Sequence, residues 1–148
     1  MTISLYTHQV LIVEDSDEDF DTALNALRKT GLRHKVHRAI TGDECLILLR
    51  GTSKSPAINP DFILMDVSLP GLDGRQTLNE IKTDSALKHI AIVMFSTSSN
   101  QADIKLCYEF GANAYHLKPF LYPEHISILE KIFNYWLSNV QLLNKKYL

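Results

Sequence analysis

The sequence has no apolar run near the ~20 residues needed to cross a bilayer. Its first residues, "MTISLYTHQV", lack the charged start, apolar centre and small-residue cleavage site of a secretory signal. Cysteine is scarce. Cys45 and Cys107 stand far apart in helical patterns, match no metal or redox spacing, and read as buried thiols rather than a disulfide. Neither sign of charge dominates: Lys and Arg total 15 and Asp and Glu 17, for a net charge of −2, which argues against a basic nucleic-acid surface. No G-x-x-x-x-G-K-[ST] phosphate loop and no G-x-G-x-x-G is present, so "SLPGLDG" is a turn-rich loop whose Gly71 and Gly74 supply permissive backbone. The six histidines show no ligand spacing. What remains is a protein expected to be cytoplasmic, with no membrane or nucleic-acid partner. Its 148 residues suit one domain over 1–148 with a single core.

Short apolar runs alternate with amphipathic stretches. "VLIV" (10–13) reads as a buried strand. "SDEDFDTALNALRKTG" follows as a helix capped by Ser16 or Asp17, with Phe20, Leu24 and Leu27 as its core stripe. "KVHRAI" (35–40) reads as a strand and "TGDECLILLRG" as a helix with Thr41 or Asp43 near its start. "DFILMDV" is the third strand, and "RQTLNEIKTD" a helix with Leu78 and Ile81 inward. "HIAIVMFS" is apolar enough for a strand covered on both faces. "SSNQADIKLCYEFG" is a helix capped by Ser99 or Asn100, "ANAYHL" the fifth strand, and a last helix starts near Tyr122 or Pro123. Strict β-α alternation predicts an α/β, doubly wound, five-stranded parallel sheet of flavodoxin-like topology, strand order 2-1-3-4-5.

In such sheets sites form beyond the carboxyl ends of the strands. There the sequence puts Glu14 and Asp15 after strand 1, Asp66 after strand 3, Ser96 and Thr97 after strand 4, and Lys118 after strand 5. Asp66 is conspicuous because Phe62 to Met65 and Val67 around it are all apolar. Three converging carboxylates repel one another and need a cation. With a backbone carbonyl and water they form the oxygen set that Mg²⁺ prefers. Beside an ammonium and a hydroxyl, this constellation suits phosphoryl transfer to a carboxylate. Asp17, Glu18, Asp19 and Asp21 are read as acids favouring the positive end of the first helix.

"VLIVEDSDED", "FILMDVSLPGLDG", "VMFSTSS" and "YHLKPF" resemble the four blocks of the response-regulator receiver domain of two-component signalling. The resemblance covers roughly residues 9–137, leaving 138–148 as an apolar extension. "EDSDEDF", "TGDE", "TSSN" and "YWL" look most like the stand-alone regulators associated with cyanobacterial phytochromes. The resemblance implies Asp66 as phosphoacceptor; Glu14, Asp15, Asp66 and the Ser68 backbone carbonyl around Mg²⁺, or Mn²⁺ in its place; Lys118 and Ser96 on the phosphoryl group; and Ser96 and Tyr115 as the switch pair. It also implies a peptide bond before Pro119 that is often cis, a sensor histidine kinase, in the narrower resemblance a phytochrome, as donor, and no enzymatic activity beyond the domain's own phosphorylation and dephosphorylation. Glu14 stands where many relatives have aspartate, and Ser96 where many have threonine.

Nothing after strand 5 is large enough for an output domain, so the expected output is protein binding. Leu129, Ile132, Phe133, Trp136 and Val140 form one helical stripe; Ile128, Tyr135 and Leu142 form a second, offset by one position. One stripe suffices to cover a sheet, so the second reads either as a broader buried face or as a homodimer surface joined by Phe120 and Leu121. Two other functions fit part of the pattern. A phosphate-independent scaffold would use only the last helix. A metal-dependent phosphohydrolase would use Asp66 as nucleophile, but has Ser68 where a general acid is wanted.

Overall fold

The computed structural model describes residues 8–143 and 147–148. Its elements alternate as β1 (Gln9–Val13), α1 (Asp17–Lys29), β2 (Lys35–Ala39), α2 (Gly42–Arg50), β3 (Phe62–Met65), α3 (Gly74–Thr83), β4 (Ala91–Ser96), α4 (Gln101–Glu109), β5 (Ala114–Leu117) and α5 (Tyr122–Asn134). All pairs are parallel and the sheet order is β2-β1-β3-β4-β5, the doubly wound arrangement expected. Of the alternative caps, Ser16, Thr41 and Asn100 each accept a backbone N–H of the first turn.

Side-chain alternation along the strands feeds two apolar layers. Leu11, Val13, Ile63, Met65, Ile92 and Met94 face α2, α3 and α4, where Leu78, Ile81, Cys45 and Cys107 are fully buried. Val10, Ile12, Phe62, Leu64, Val93 and Phe95 face α1 and α5. Both cysteines are free, and burial pushes their thiols up to about 12 and about 11. The α1 stripe differs from expectation. Thr22, Ala23, Ala26 and Leu27 are buried, whereas Phe20 and Leu24 are only partly so. Small residues let α1 approach α5, and Phe20 moves to the rim, where the Arg38 guanidinium stacks 4.5 Å from its ring centroid.

The last helix also departs from the prediction. A π turn over Tyr135–Asn139 closes with the Val140 N–H on the Tyr135 carbonyl at 2.8 Å, and Val140 is already extended. Leu129, Ile132 and Phe133 are buried as expected, and Trp136 stacks on Phe62 at 6.1 Å. Val140 and Leu142 lie beyond the helix, so neither continues a helical stripe, and Leu142 packs instead against the α1/α5-side core.

His125, in the first turns of α5, is buried against Phe95 with ring centroids 5.3 Å apart, and its Nε2 has no hydrogen-bond partner. Burial holds its pKa below the ordinary 6.5, with Asp19 pulling the other way. The unfolded chain therefore takes up this proton at a higher pH than the folded one. The stability involved is present above pH 6.5 and is lost as pH falls through that value. Urea unfolding should show wild type losing more stability than His125→Phe between about pH 7.5 and 5.5. Equal slopes in the two proteins would count against this.

Candidate functional site

Three backbone hydrogen bonds fix the residues just beyond the strands. The Glu14 N–H bonds the Ala39 carbonyl at 2.9 Å, the Asp66 N–H the Val13 carbonyl at 3.1 Å, and the Lys118 N–H the Ser96 carbonyl at 2.8 Å. Side chains leaving those points converge. Lys118 Nζ donates to Glu14 Oε2 at 2.8 Å, to Asp19 Oδ2 at 2.8 Å and to Asp66 Oδ2 at 2.9 Å. The Lys118 side chain is 5% exposed, and those of Glu14 and Asp66 7% and 11%. An ammonium has three N–H donors, and all three are engaged.

Burial raises the Glu14 carboxyl to about 7, against the opposing pull of Lys118. Burial disfavours the Lys118 ammonium, but Asp66, Asp19 and Glu14 outweigh it and hold the lysine above its ordinary range. Asp15 is exposed, yet one of its carboxylate oxygens lies with those of Glu14 and Asp66 in a group spanning no more than 4.8 Å. An all-oxygen, multiply anionic set of this kind fits a hard divalent cation. Asp66 Oδ1 also accepts the Ser68 N–H at 3.2 Å, so both carboxylate oxygens are held.

Ser96 is 1% exposed, and its hydroxyl accepts the Ser98 N–H at 3.1 Å. The Tyr115 hydroxyl donates to the Ser98 carbonyl at 2.8 Å, its ring against the α2/α3/α4-side core. Ser96 and Tyr115 thus meet at Ser98. The Lys118–Pro119 peptide is trans, where the family resemblance implies a bond that is often cis. Gly71 takes a left-handed φ of +68°, as the loop reading implies, but Gly74 does not. Gly74 is needed for close approach instead, because a Cβ there would strike the Asp66 carbonyl.

Sequence reasoning missed two features. Asp19 is not merely an acid at a helix start: it supplies the third carboxylate on Lys118. The signal was its place at the third position of α1, since helical side chains tilt toward the N-terminus and so back over the strand ends. The second is a latch. Arg75 NH1 bonds Asp103 Oδ1 at 2.7 Å, and Asp103 Oδ2 accepts the Ser98 hydroxyl at 2.8 Å, tying α3 to α4 and the β4–α4 loop.

Of the residues expected at a partner surface, Phe120, Leu121 and Tyr135 are exposed, Phe120 completely. Ile128 is half-buried in an apolar groove between β5 and α5, whose walls include Ala114, His116, Tyr135 and Trp136. No helix among the described residues is long and apolar enough to cross a membrane.

Residues 10–130 match the response regulator receiver domain family. The response regulator Rcp1 of Synechocystis sp. is 32% identical over 136 residues, covering 90% of this chain and 91% of that protein. The crystal structure of the phosphorylated cyanobacterial phytochrome response regulator RcpA superposes with a TM-score of 0.88 at 35% identity, covering 93% of this chain and 99% of that one. The Mn²⁺-bound form of Rcp1 superposes equally well, TM-score 0.88 at 30% identity, with the same coverage of both chains.

The Glu14 carboxyl, raised to about 7, must be ionised to serve a cation. Divalent-cation affinity, measured by calorimetry, is expected to fall as pH drops through 7, with proton release on binding. Glu14→Gln should flatten that dependence. A wild-type affinity independent of pH from about 8 to 6 would contradict it.

Proposed function

This chain belongs to the response regulator receiver family, and we propose that it signals by accepting a phosphoryl group on Asp66, acting as one receiver unit. The observation that carries the reading is the buried Lys118 ammonium bonded to Asp66 at 2.9 Å beside an oxygen cluster suited to a cation. An Asp66 carboxylate oxygen attacks phosphorus, the new P–O bond forms as the bond to the donor breaks, and an acyl phosphate remains. Glu14, Asp15, Asp66 and the Ser68 backbone carbonyl are the proposed ligands for Mg²⁺ or Mn²⁺. When bound, the ion offsets charge on the transferring oxygens. Lys118 turns the N–H now on Asp66 toward a phosphoryl oxygen. Ser96 rotates to donate its hydroxyl to another; that rotation carries its oxygen away from the Ser98 N–H it now accepts, and Tyr115, bonded to the Ser98 carbonyl, follows.

The donor we propose is a sensor histidine kinase, and a phytochrome in particular, on the strength of the likeness to RcpA. The output is binding to protein, with the β5–α5 groove and the exposed Phe120, Leu121 and Tyr135 as a homodimer surface centred on Ile128.

Intact mass after incubation with acetyl phosphate should show a Mg²⁺-dependent gain of one phosphoryl group in wild type and none in Asp66→Asn. A gain in both would move the acceptor elsewhere. In light scattering, Tyr135→Asp should shift a dimer toward monomer. A dimer untouched by that change would remove the groove from the interface.

A further inference from the structure

Asp19 lies in no set of cation ligands, yet it holds one third of the donors of Lys118. Its Oδ2 accepts from Nζ at 2.8 Å across the gap between α1 and β5. The other two acceptors, Glu14 and Asp66, belong to the group with Asp15 that suits a divalent ion, and Asp19 stands outside that group. It is also the most open of the three, with a side chain 31% exposed against 7% for Glu14 and 11% for Asp66. Its backbone is fixed independently, since the Asp19 N–H donates to the Ser16 hydroxyl at 3.2 Å in the cap of α1. A role confined to the positive end of the helix would need no contact with β5, and Asp17 and Glu18 occupy the same first turn.

We propose that Asp19 is a positioning residue that acts through Lys118 as a standing competitor for its charge, and so weakens the hold of the site on a phosphoryl group. This rests on the receiver reading of Asp66 given above. When Asp66 carries the phosphoryl group, the N–H directed at Asp66 passes to phosphoryl oxygens on the same side chain, and a bound cation draws on Glu14. Among the described residues no Lys or Arg other than Lys118 is paired with Asp19, and it keeps its bond to Nζ. A carboxylate at that distance offsets part of the ammonium's charge and leaves less of it for a phosphoryl dianion. Asn at this position keeps the shape and an acceptor oxygen but removes the charge.

Binding of the beryllofluoride phosphate mimic in the presence of Mg²⁺, followed by fluorine NMR, tests this in wild type, Asp19→Asn, Lys118→Ala and the double variant. Asp19→Asn is expected to bind about fivefold tighter than wild type, the scale of one partly exposed ion pair. Asp19→Glu should return the affinity to the wild-type value, and the tightening should vanish when Lys118 is absent. Unchanged or weaker binding by Asp19→Asn would overturn the proposal. So would an equal gain in the Lys118→Ala background, which would mark a general field effect instead. Wild type that neither binds the mimic nor gains mass from acetyl phosphate would bring down the receiver reading itself, and this inference with it.

Discussion

The site depends on one buried ammonium shared by three carboxylates. Lys118, Glu14 and Asp66 have almost no access to water, so their charges are supportable only together. Breaking a buried pair by deleting one partner typically costs about 3–5 kcal/mol. Here the cost has an outlet, because Glu14, already raised to about 7, neutralises by taking a proton. The cluster is therefore no device for stability. It holds an anionic site in a compact form, whose contacts a cation and a phosphoryl group would take over in the function proposed above. That demands rigid backbone, which the sheet supplies: β3 is buried at all four residues and β4 at all six.

Around this centre the loops are latched by polar side chains as well as by the packing of Val67 and Leu69 into the core. Asp43, in the first turn of α2, accepts the Leu72 N–H at 3.2 Å, and Asp73 closes a capping box with Gln76 at the start of α3. Gly74 sits directly on the Asp66 carbonyl, so the loop after β3 folds back tightly onto Asp66 itself. On the other side the Arg75–Asp103–Ser98 chain reaches Tyr115. Each such bond is worth about 1 kcal/mol net, more where an ionised group takes part. Bonds of that size hold a conformation and can still be exchanged for others.

The parts of this arrangement legible in the sequence are those that obey a period or a fixed backbone position. Continuous apolar runs gave the buried strands, and the residues after each run gave Glu14, Asp66, Ser96 and Lys118, because a strand end points where its backbone points. Asp19 escaped because local chemistry offers an acidic residue in a first helical turn a sufficient reason to be there. Its contact with Lys118 spans 99 positions and appears only once β1 and β5 are placed. Phe20 escaped because hydrophobicity ranks it above Ala23, while the space between α1 and α5 favours the smaller residue. The end of the last helix was misjudged for a related reason. A 3.6-residue period extrapolated through Val140 to Leu142 carries no mark of the π turn that ends it, or of the core contact that Leu142 makes instead.

The unequal anchoring of the helices gives the latches their meaning. α1, α2, α3 and α5 each bury four or five residues, whereas α4 buries only Cys107. An element with so little buried surface is cheap to displace, and its place is set chiefly by its ends. One end of α4 is tied through Asp103 to Arg75 and Ser98; at the other, the Tyr108 hydroxyl accepts the Tyr115 N–H at 3.1 Å. Ser98 is where the Ser96 hydroxyl and the Tyr115 hydroxyl both attach. In the function proposed above, a change of partner at Ser96 would therefore act on the residue that secures α4 and, through Tyr115, on the strand bordering the β5–α5 groove. The well-packed strands and helices hold Asp66 in place, and α4 is the α-helix whose rearrangement would cost least.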